Sequence, residues 1–208
     1  ICSALNTHID ELNELKITDY KKIDMTGAYD YVYDAEKLAS LSGKKLHGKR
    51  NHINQFELSH KWEAVPITKE NMDDVKKIYE KWLEESEGDE ASKKYEGDAI
   101  RCAFEEFDRI GLDGLVIYAD GRPGAFSFGS MINSAVADVH FEKADRNIRG
   151  LYPLINREFV RYMMKKHPAL KYVNREDDMG LEGLRKSKLS YHPLYIVEKH
   201  TLEFGRGV

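Results

Sequence analysis

From Trp62 onward the chain orders its strand-like and helix-like segments in a way that few architectures accommodate. Residues 62–67 form an apolar run suited to a strand, and Thr68-Lys-Glu-Asn71 opens a helix extending to about Glu85. Residues 86–94 are polar and read as a mobile loop. A helix over 99–110 then carries Ile100, Ala103, Phe104 and Phe107 on its apolar side. Residues 112–118 and 123–132 make a hairpin around Asp120-Gly121, a dipeptide suited to a tight left-handed turn. A strand over 135–142 follows. Next come a helix over 150–166, a strand over 170–174, a helix over 179–189 and a terminal strand or hairpin over 194–204. Three consecutive strands and then strand–helix alternation predict a mixed α/β sheet, antiparallel in one half and parallel in the other.

Upstream, residues 3–15 place Leu5, Ile9, Leu12 and Leu15 at helical spacing. Asp30-Tyr-Val-Tyr33 is strand-like, and Asp34 is placed to cap a helix that runs to Ser42 and is broken by Gly43. A helix over 44–58 buries Leu46, Ile53 and Phe56. Lys45, Lys49 and His52 share another of its faces, flanked by Arg50 and Asn51. This patch is either a track for an RNA backbone or a solvated helix face.

At 208 residues the chain has room for one large domain, or one domain and part of another. No window approaches a membrane span and the N-terminus lacks a signal-peptide core, so a cytoplasmic location is expected. Two cysteines, Cys2 and Cys102, exclude a disulfide framework and a thiolate zinc site. The eight histidines lack metal-ligand spacing, and no metal is expected. No Walker loop, nucleophile elbow or dinucleotide fingerprint occurs. The net charge of −4 hides an asymmetry: residues 63–98 hold twelve acids and six bases, residues 143–190 six acids and twelve bases. The basic half suits an anionic partner such as a phosphate, an RNA backbone or a lipid headgroup.

Strict alternation over 135–142 puts Val136, Asp138, His140 and Glu142 on one face and Ala135, Ala137, Val139 and Phe141 on the other. Three ionisable groups in a row either line a wet cleft or face solvent. A histidine titrates near neutrality and a buried carboxylate can be tuned upward, so Glu142, His140 and Asp138 are the candidates for proton removal, with Glu142 preferred. Glu142 and Lys143 could instead form a surface pair. The following turn, residues 146–152, brings Arg146, Arg149 and Gly150 to a helix N-terminus, where free N–H groups bind anions. Downstream, Arg175 suits a phosphate or ribose, while Glu176 and Asp178 suit an amino group. Asp178 is alternatively a helix cap. Arg185 and Lys188 share a face at i, i+3 and are candidates for the same anion. Tyr191 is a core residue or an acceptor-site group.

Local sequence is more specific than element order. The stretches that begin Tyr29-Asp-Tyr-Val-Tyr-Asp, Gly43-Lys-Lys-Leu-His-Gly, His140-Phe-Glu-Lys-Ala-Asp and Val173-Asn-Arg-Glu-Asp-Asp-Met-Gly carry a resemblance. So does Leu184-Arg-Lys-Ser-Lys-Leu-Ser-Tyr191. Over residues 29–204 the chain resembles uncharacterised bacterial proteins grouped with the C-terminal domain of phosphatidylglycerol lysyltransferase. The resemblance implies a Gcn5-related N-acetyltransferase-like fold, in tandem halves related to the Fem-type aminoacyltransferases. It implies that residues 61–208 are a complete second half and residues 1–60 the end of a first.

The activity so implied moves an amino acid from aminoacyl-tRNA to a lipid, peptide or small-molecule amine or hydroxyl, with no tightly bound cofactor. Transfer RNA and an anionic lipid at a membrane surface are then the expected partners. Coenzyme A enzymes of this fold carry Arg/Gln-x-x-Gly-x-Gly/Ala, whereas this chain has Asn147-x-x-Gly150-x-Tyr152. The bulky Tyr152 weighs against acyl-CoA as donor. An acyl-CoA-dependent N-acyltransferase and a non-catalytic binding protein remain the alternatives. Nothing in the pattern specifies an oligomeric state.

Overall fold

The computed structural model describes residues 1–86 and 90–205. In chain order the elements are α1 (Asn6–Glu14), β1 (Tyr20–Asp24), a 3-10 turn (Thr26–Ala28), β2 (Asp30–Asp34), α2 (Ala35–Ser40) and α3 (His47–Ser59). They continue with β3 (Trp62–Pro66), α4 (Met72–Glu84), α5 (Glu90–Glu105), β4 (Asp113–Ala119), β5 (Arg122–Asn133) and β6 (Val136–Ala144). The last are α6 (Leu151–Lys166), β7 (Tyr172–Asn174), α7 (Glu182–Leu189), β8 (Tyr195–Val197) and β9 (His200–Phe204). The fold is mixed α/β. Of the loop expected over 86–94, residues 87–89 lie outside the described residues, and α5 begins nine residues before the expected start at Ala99. Glu90, Ala91, Lys93 and Lys94 are good helix formers.

The chain divides into two compact units: residues 34–173, and residues 1–33 together with those from Asn174 on. The boundary expected at 60/61 falls inside the larger unit, between α3 and β3. In that unit β3, β4, β5 and β6 form an antiparallel run. The hairpin turn between β4 and β5 has Asp120 and Gly121 both at positive φ, 50° and 75°, as an Asp-Gly tight turn requires.

One face of the run packs on α4 and α5. Its core holds Val75, Ile78, Tyr79, Ile100, Phe104, Val116, Phe126 and Phe128, all buried. Phe126 and Phe128 stack at 5.7 Å, and Phe104 meets both edge-on. Each such side chain contributes about 2 kcal/mol through burial. The other face packs on α6, through Leu154, Ile155 and Phe159, and α2 and α3 pack on the far side of α6. Asp34 caps α2 as expected, its carboxylate accepting the Lys37 N–H at 2.8 Å.

In the smaller unit β1 pairs antiparallel with β9, and β2 with β8. β1 escaped the sequence reading because Tyr-Lys-Lys-Ile-Asp is half polar and its sides are exposed or half-buried. His200, fully buried, ties the unit together: its ring nitrogens lie 2.9 Å from Asp24 Oδ1 and 2.9 Å from Asn6 Oδ1.

Glycines test this packing. A Cβ at Gly129 would collide with the Asp138 carbonyl oxygen, whereas one at Gly183, inside α7, meets nothing. Urea denaturation is expected to show Gly129→Ala losing about 3 kcal/mol or more. Gly183→Ala should gain about 0.5–1 kcal/mol through helix propensity.

Candidate functional site

The register of β6 decides where its ionisable residues go. Ser127 pairs with Glu142 and Phe128 with Phe141, but the next pairs are Gly129 with Val139 and Ser130 with Asp138. His140 is therefore the extra residue of a β-bulge. Residues paired across a ladder share a face. Asp138 thus joins Ser130 on the face of Phe128 and Phe141, while Glu142 stays with Ser127 on the opposite face. The single row of Asp138, His140 and Glu142 expected from alternation is split, because the bulge slips the period by one residue.

On one side of the slip, His140 Nε2 lies 2.9 Å from Ser130 Oγ, and Nδ1 lies 4.0 Å from Asp138 Oδ2. Their side chains are 30% and 17% exposed, so the group is sheltered yet reachable. This arrangement can hold an imidazole ready to accept a proton. On the other side, Glu142 Oε2 accepts Asn156 Nδ2–H at 2.9 Å from α6. The Glu142–Lys143 surface pair does not form as drawn. Lys143 points to the Phe126 face, donates to Glu96 Oε1 at 2.5 Å and sits 3.5 Å over the Trp82 ring. Burial pushes its pKa down, against the pull of Glu96.

The turn after β6 is tightly accounted for. Asp145 accepts Lys81 Nζ at 2.5 Å and the Asn147 N–H at 2.9 Å. Arg146 lies 5.1 Å over the Trp82 ring and donates to the Glu85 carbonyl at 3.3 Å. Arg149 Nε donates to His52 Nδ1 at 3.1 Å, and burial, then Arg149, holds the His52 pKa down. Gly150 has φ +93°, and a Cβ there would strike the His52 carbonyl oxygen and come within 2.9 Å of Phe56 Cβ. Its glycine is explained by the close passage of α3. Of the three residues opening α6, Leu151 gives its N–H to Ile148 and Pro153 has none, leaving Tyr152. The Tyr152 hydroxyl in turn accepts Trp82 Nε1–H at 2.9 Å, and burial pushes its pKa up.

The basic patch on α3 is largely engaged. Arg50 Nη1 donates to the Leu41 carbonyl and, at 2.8 Å, to the Gly43 carbonyl, finishing the end of α2. His52 takes the Arg149 contact. Lys45 is exposed and Lys49 half-buried.

Within the smaller unit, Asp178 is fully buried. One carboxylate oxygen accepts Tyr31 O–H at 2.5 Å and Arg185 Nε–H at 2.7 Å; the other accepts Arg185 Nη2–H at 3.0 Å and the Gly180 N–H at 2.8 Å. With about four acceptor positions per carboxylate, Asp178 has no capacity left for a substrate amine. It does not cap α7 either, since that helix starts at Glu182. Arg185 is committed to this pair rather than to an outside anion. Lys188 Nζ donates to the carbonyls of Arg175 and Glu176, the latter at 3.2 Å, as a buried ammonium must. Arg175 lies 4.9 Å over Tyr191 and 5.7 Å over Tyr33. Tyr191, buried, is a core residue. Glu176 sits at φ +54°, a strained backbone for a residue other than glycine, and its carbonyl accepts the Tyr31 N–H.

With these geometries in hand, the family model for phosphatidylglycerol lysyltransferase, C-terminal, matches residues 14–202. The chain belongs to this family. An uncharacterised protein of Mycoplasmoides gallisepticum is 26% identical over 203 residues, covering 94% of this chain. The chain spans 64% of that relative's length. A conserved protein of unknown function from Bacteroides thetaiotaomicron superposes with a TM-score of 0.88 at 33% identity, over 98% of this chain and 69% of that one. L-PGS from Bacillus licheniformis gives 0.65 at 14% identity, over 100% and 68%. A tandem Gcn5-related acetyltransferase-type protein from the clavulanic acid pathway gives 0.53 at 11%, over 100% and 64%, which places the fold in that class.

Two residues of this candidate site went unnoticed in the sequence. Asn156 interrupts the apolar stripe of α6 and is buried, and that mismatch is its signal. Ser130 carries no signal until the register is known. The Asp178–Arg185 pair offers a direct test. Arg185, with Tyr31 and Gly180, holds the Asp178 carboxyl at about 2, below its ordinary 3.8. Its stabilisation is full above 3.8 and is lost as pH falls towards 2, amounting to about 2 kcal/mol. Denaturation curves across that window should show the loss, and Asp178→Asn should lower stability at pH 7 by about 2–3 kcal/mol while flattening the acid limb.

Proposed function

We propose that the protein is an aminoacyltransferase, taking an amino acid from charged transfer RNA and placing it on an amine or hydroxyl acceptor. Membership of the lysyltransferase family supports transferase chemistry. The observation that carries the choice of donor is the N-terminus of α6. A coenzyme A pyrophosphate needs several converging N–H groups there, and Leu151, Tyr152 and Pro153 leave one. These residues do not fit a pyrophosphate cradle, which weighs against acyl-CoA.

His140 is the proton acceptor in this reading, with Ser130 and Asp138 holding its ring. The acceptor nitrogen or oxygen attacks the ester carbonyl of the aminoacyl group as its proton passes to His140. The carbon–oxygen bond to the ribose then breaks, and the proton returns from His140 to the ribose oxygen. Glu142 is less suited, since Asn156 donates to it on the opposite face of the strand. A lipid, a peptide or a small molecule can supply the nucleophile. No helix among the described residues is long and apolar enough to cross a membrane, and a lipid acceptor would be met at a membrane surface.

The test uses the full-length protein with a pool of labelled aminoacyl-tRNA and acetyl-CoA as competitor. Retention of one charged species despite excess coenzyme A is the expected result; displacement by coenzyme A would return the protein to ordinary acyl transfer. Once the acceptor is known, His140→Gln should lower kcat by about 10²- to 10⁴-fold with little change in KM. Glu142→Gln should leave kcat within about threefold, and the reverse ranking would reassign the base.

A further inference from the structure

His200 of β9 is 1% exposed, and its ring nitrogens face oxygen atoms on two other elements of the smaller unit. Nδ1 lies 2.9 Å from Asp24 Oδ1 at the end of β1, and Nε2 lies 2.9 Å from Asn6 Oδ1 at the start of α1. The Asn6 amide is oriented by its other end, where Nδ2 donates to Glu198 Oε2 at 3.2 Å. Turning it over would set its carbonyl oxygen against that carboxylate, so Oδ1 is the atom that faces the ring. An ionised carboxylate has no hydrogen to give, and an amide oxygen has none either. Both partners therefore accept, and only a ring with N–H on both nitrogens satisfies both. That form is the imidazolium. A neutral ring would leave one nitrogen lone pair pointing at an oxygen lone pair inside the protein.

The element that depends on this contact is α1. No residue of that helix is buried, so apolar packing gives it little hold on the rest of the unit. The attachments at its start are polar. Ala4 exchanges two backbone hydrogen bonds with His200, both at 2.8 Å, and two residues later Asn6 reaches the ring. The other charged and titratable groups around the ring are accounted for. Lys22 Nζ lies 3.9 Å from Asp24, and Lys199 is turned to Asp30 at 2.6 Å. Tyr29 meets the His200 ring edge-on at 6.3 Å, its hydroxyl pushed up by burial, then by Asp24 and Glu198. His8, on α1 itself, accepts the Leu5 N–H through Nδ1 at 3.2 Å. Adding a proton to His8 would remove that acceptor, so His8 weakens the helix start as pH falls, the sense opposite to His200.

We propose that His200 is a proton-operated clasp: with N–H on both ring nitrogens it locks α1 to β1 and β9, and loss of one ring proton releases α1. The hold on α1 is present while the ring is charged and is lost as pH rises and the ring becomes neutral, because one of two charge-assisted hydrogen bonds then disappears. The clasp stands apart from the transferase reading, since it uses no residue of β5 or β6.

The experiment follows the intact protein upward from about pH 5.5, below the ordinary histidine value, until the His200 ring loses a proton. Long-range proton–nitrogen spectra report the ring, and amide hydrogen exchange reports residues 4–14 as protection factors, which remove the intrinsic effect of pH. At the acid end both ring nitrogens should carry a proton. Protection over residues 4–14 should fall about tenfold or more as the ring titrates, while that of α6 stays constant. Asp24→Asn offers the neutral ring a donor for Nδ1, so this variant should keep α1 protected throughout. His8→Gln keeps an acceptor at the third helical position, so its response should match that of the native protein. The proposal is overturned if a ring nitrogen is bare while α1 is protected at the acid end. Protection that does not change as the ring titrates overturns it too. So does a native-like response in Asp24→Asn, or loss of the response in His8→Gln.

Discussion

The slip between β5 and β6 is the constraint on which the chemistry of the larger unit depends. Two residues of β6 share one position opposite Gly129, and only a residue without a side chain tolerates the Asp138 carbonyl at that approach. The consequence is a change of face in mid-strand. Before the slip, Ala137 and Val139 lie on the side of α6; after it, Glu142 and Ala144 do. Asp138 and His140 are thereby turned to the other side, where Ser130 meets the imidazole. An unbulged strand would have put all three ionisable groups on one surface, with Asn156 facing no carboxylate from Glu142.

Counting cations in the sequence overstates what they offer a ligand. The basic half of the chain suggests an anionic partner, yet many of its charges serve the fold. Arg161 donates to the Ala39 carbonyl and Arg157 to Glu57, tying α6 to α2 and α3. Lys166 and His167 both contact the buried carboxylate of Asp113. In the smaller unit Arg185 and Lys188 satisfy a buried acid and two carbonyls. A buried carboxylate without such a partner would cost several kcal/mol, so these cations are fixed by desolvation before any ligand is considered.

What could be read from the sequence follows from what each signal measures. The hairpin at Asp120-Gly121, the Asp34 cap and the α6 stripe are local: backbone sterics and burial on one element determine them. β1 was hidden because a strand with polar sides lacks alternation. The start of α5 was hidden because a charged helix has little apolar pattern before Ile100. The site was harder for a different reason. Alternation gave the right strand but the wrong face for Glu142, since a period of two cannot register an inserted residue. The roles of Arg185, Lys188 and Asp178 depend on distant partners: Tyr31 bonds Asp178 across 147 residues, and Tyr33 bonds the Lys188 carbonyl across 155. No local window contains those partners.

Trp82 connects the features of the larger unit that sequence reading left separate. Its ring carries Lys143 on β6 and Arg146 in the turn, its indole N–H is held by Tyr152 at the head of α6, and it lines a cavity of about 500 Å³. Two cations near one aromatic face repel each other, and Glu96 offsets that repulsion at Lys143. The cavity and the strand bearing His140 thus share one rigid indole, so the shape of the first and the position of the second are set by the same packing.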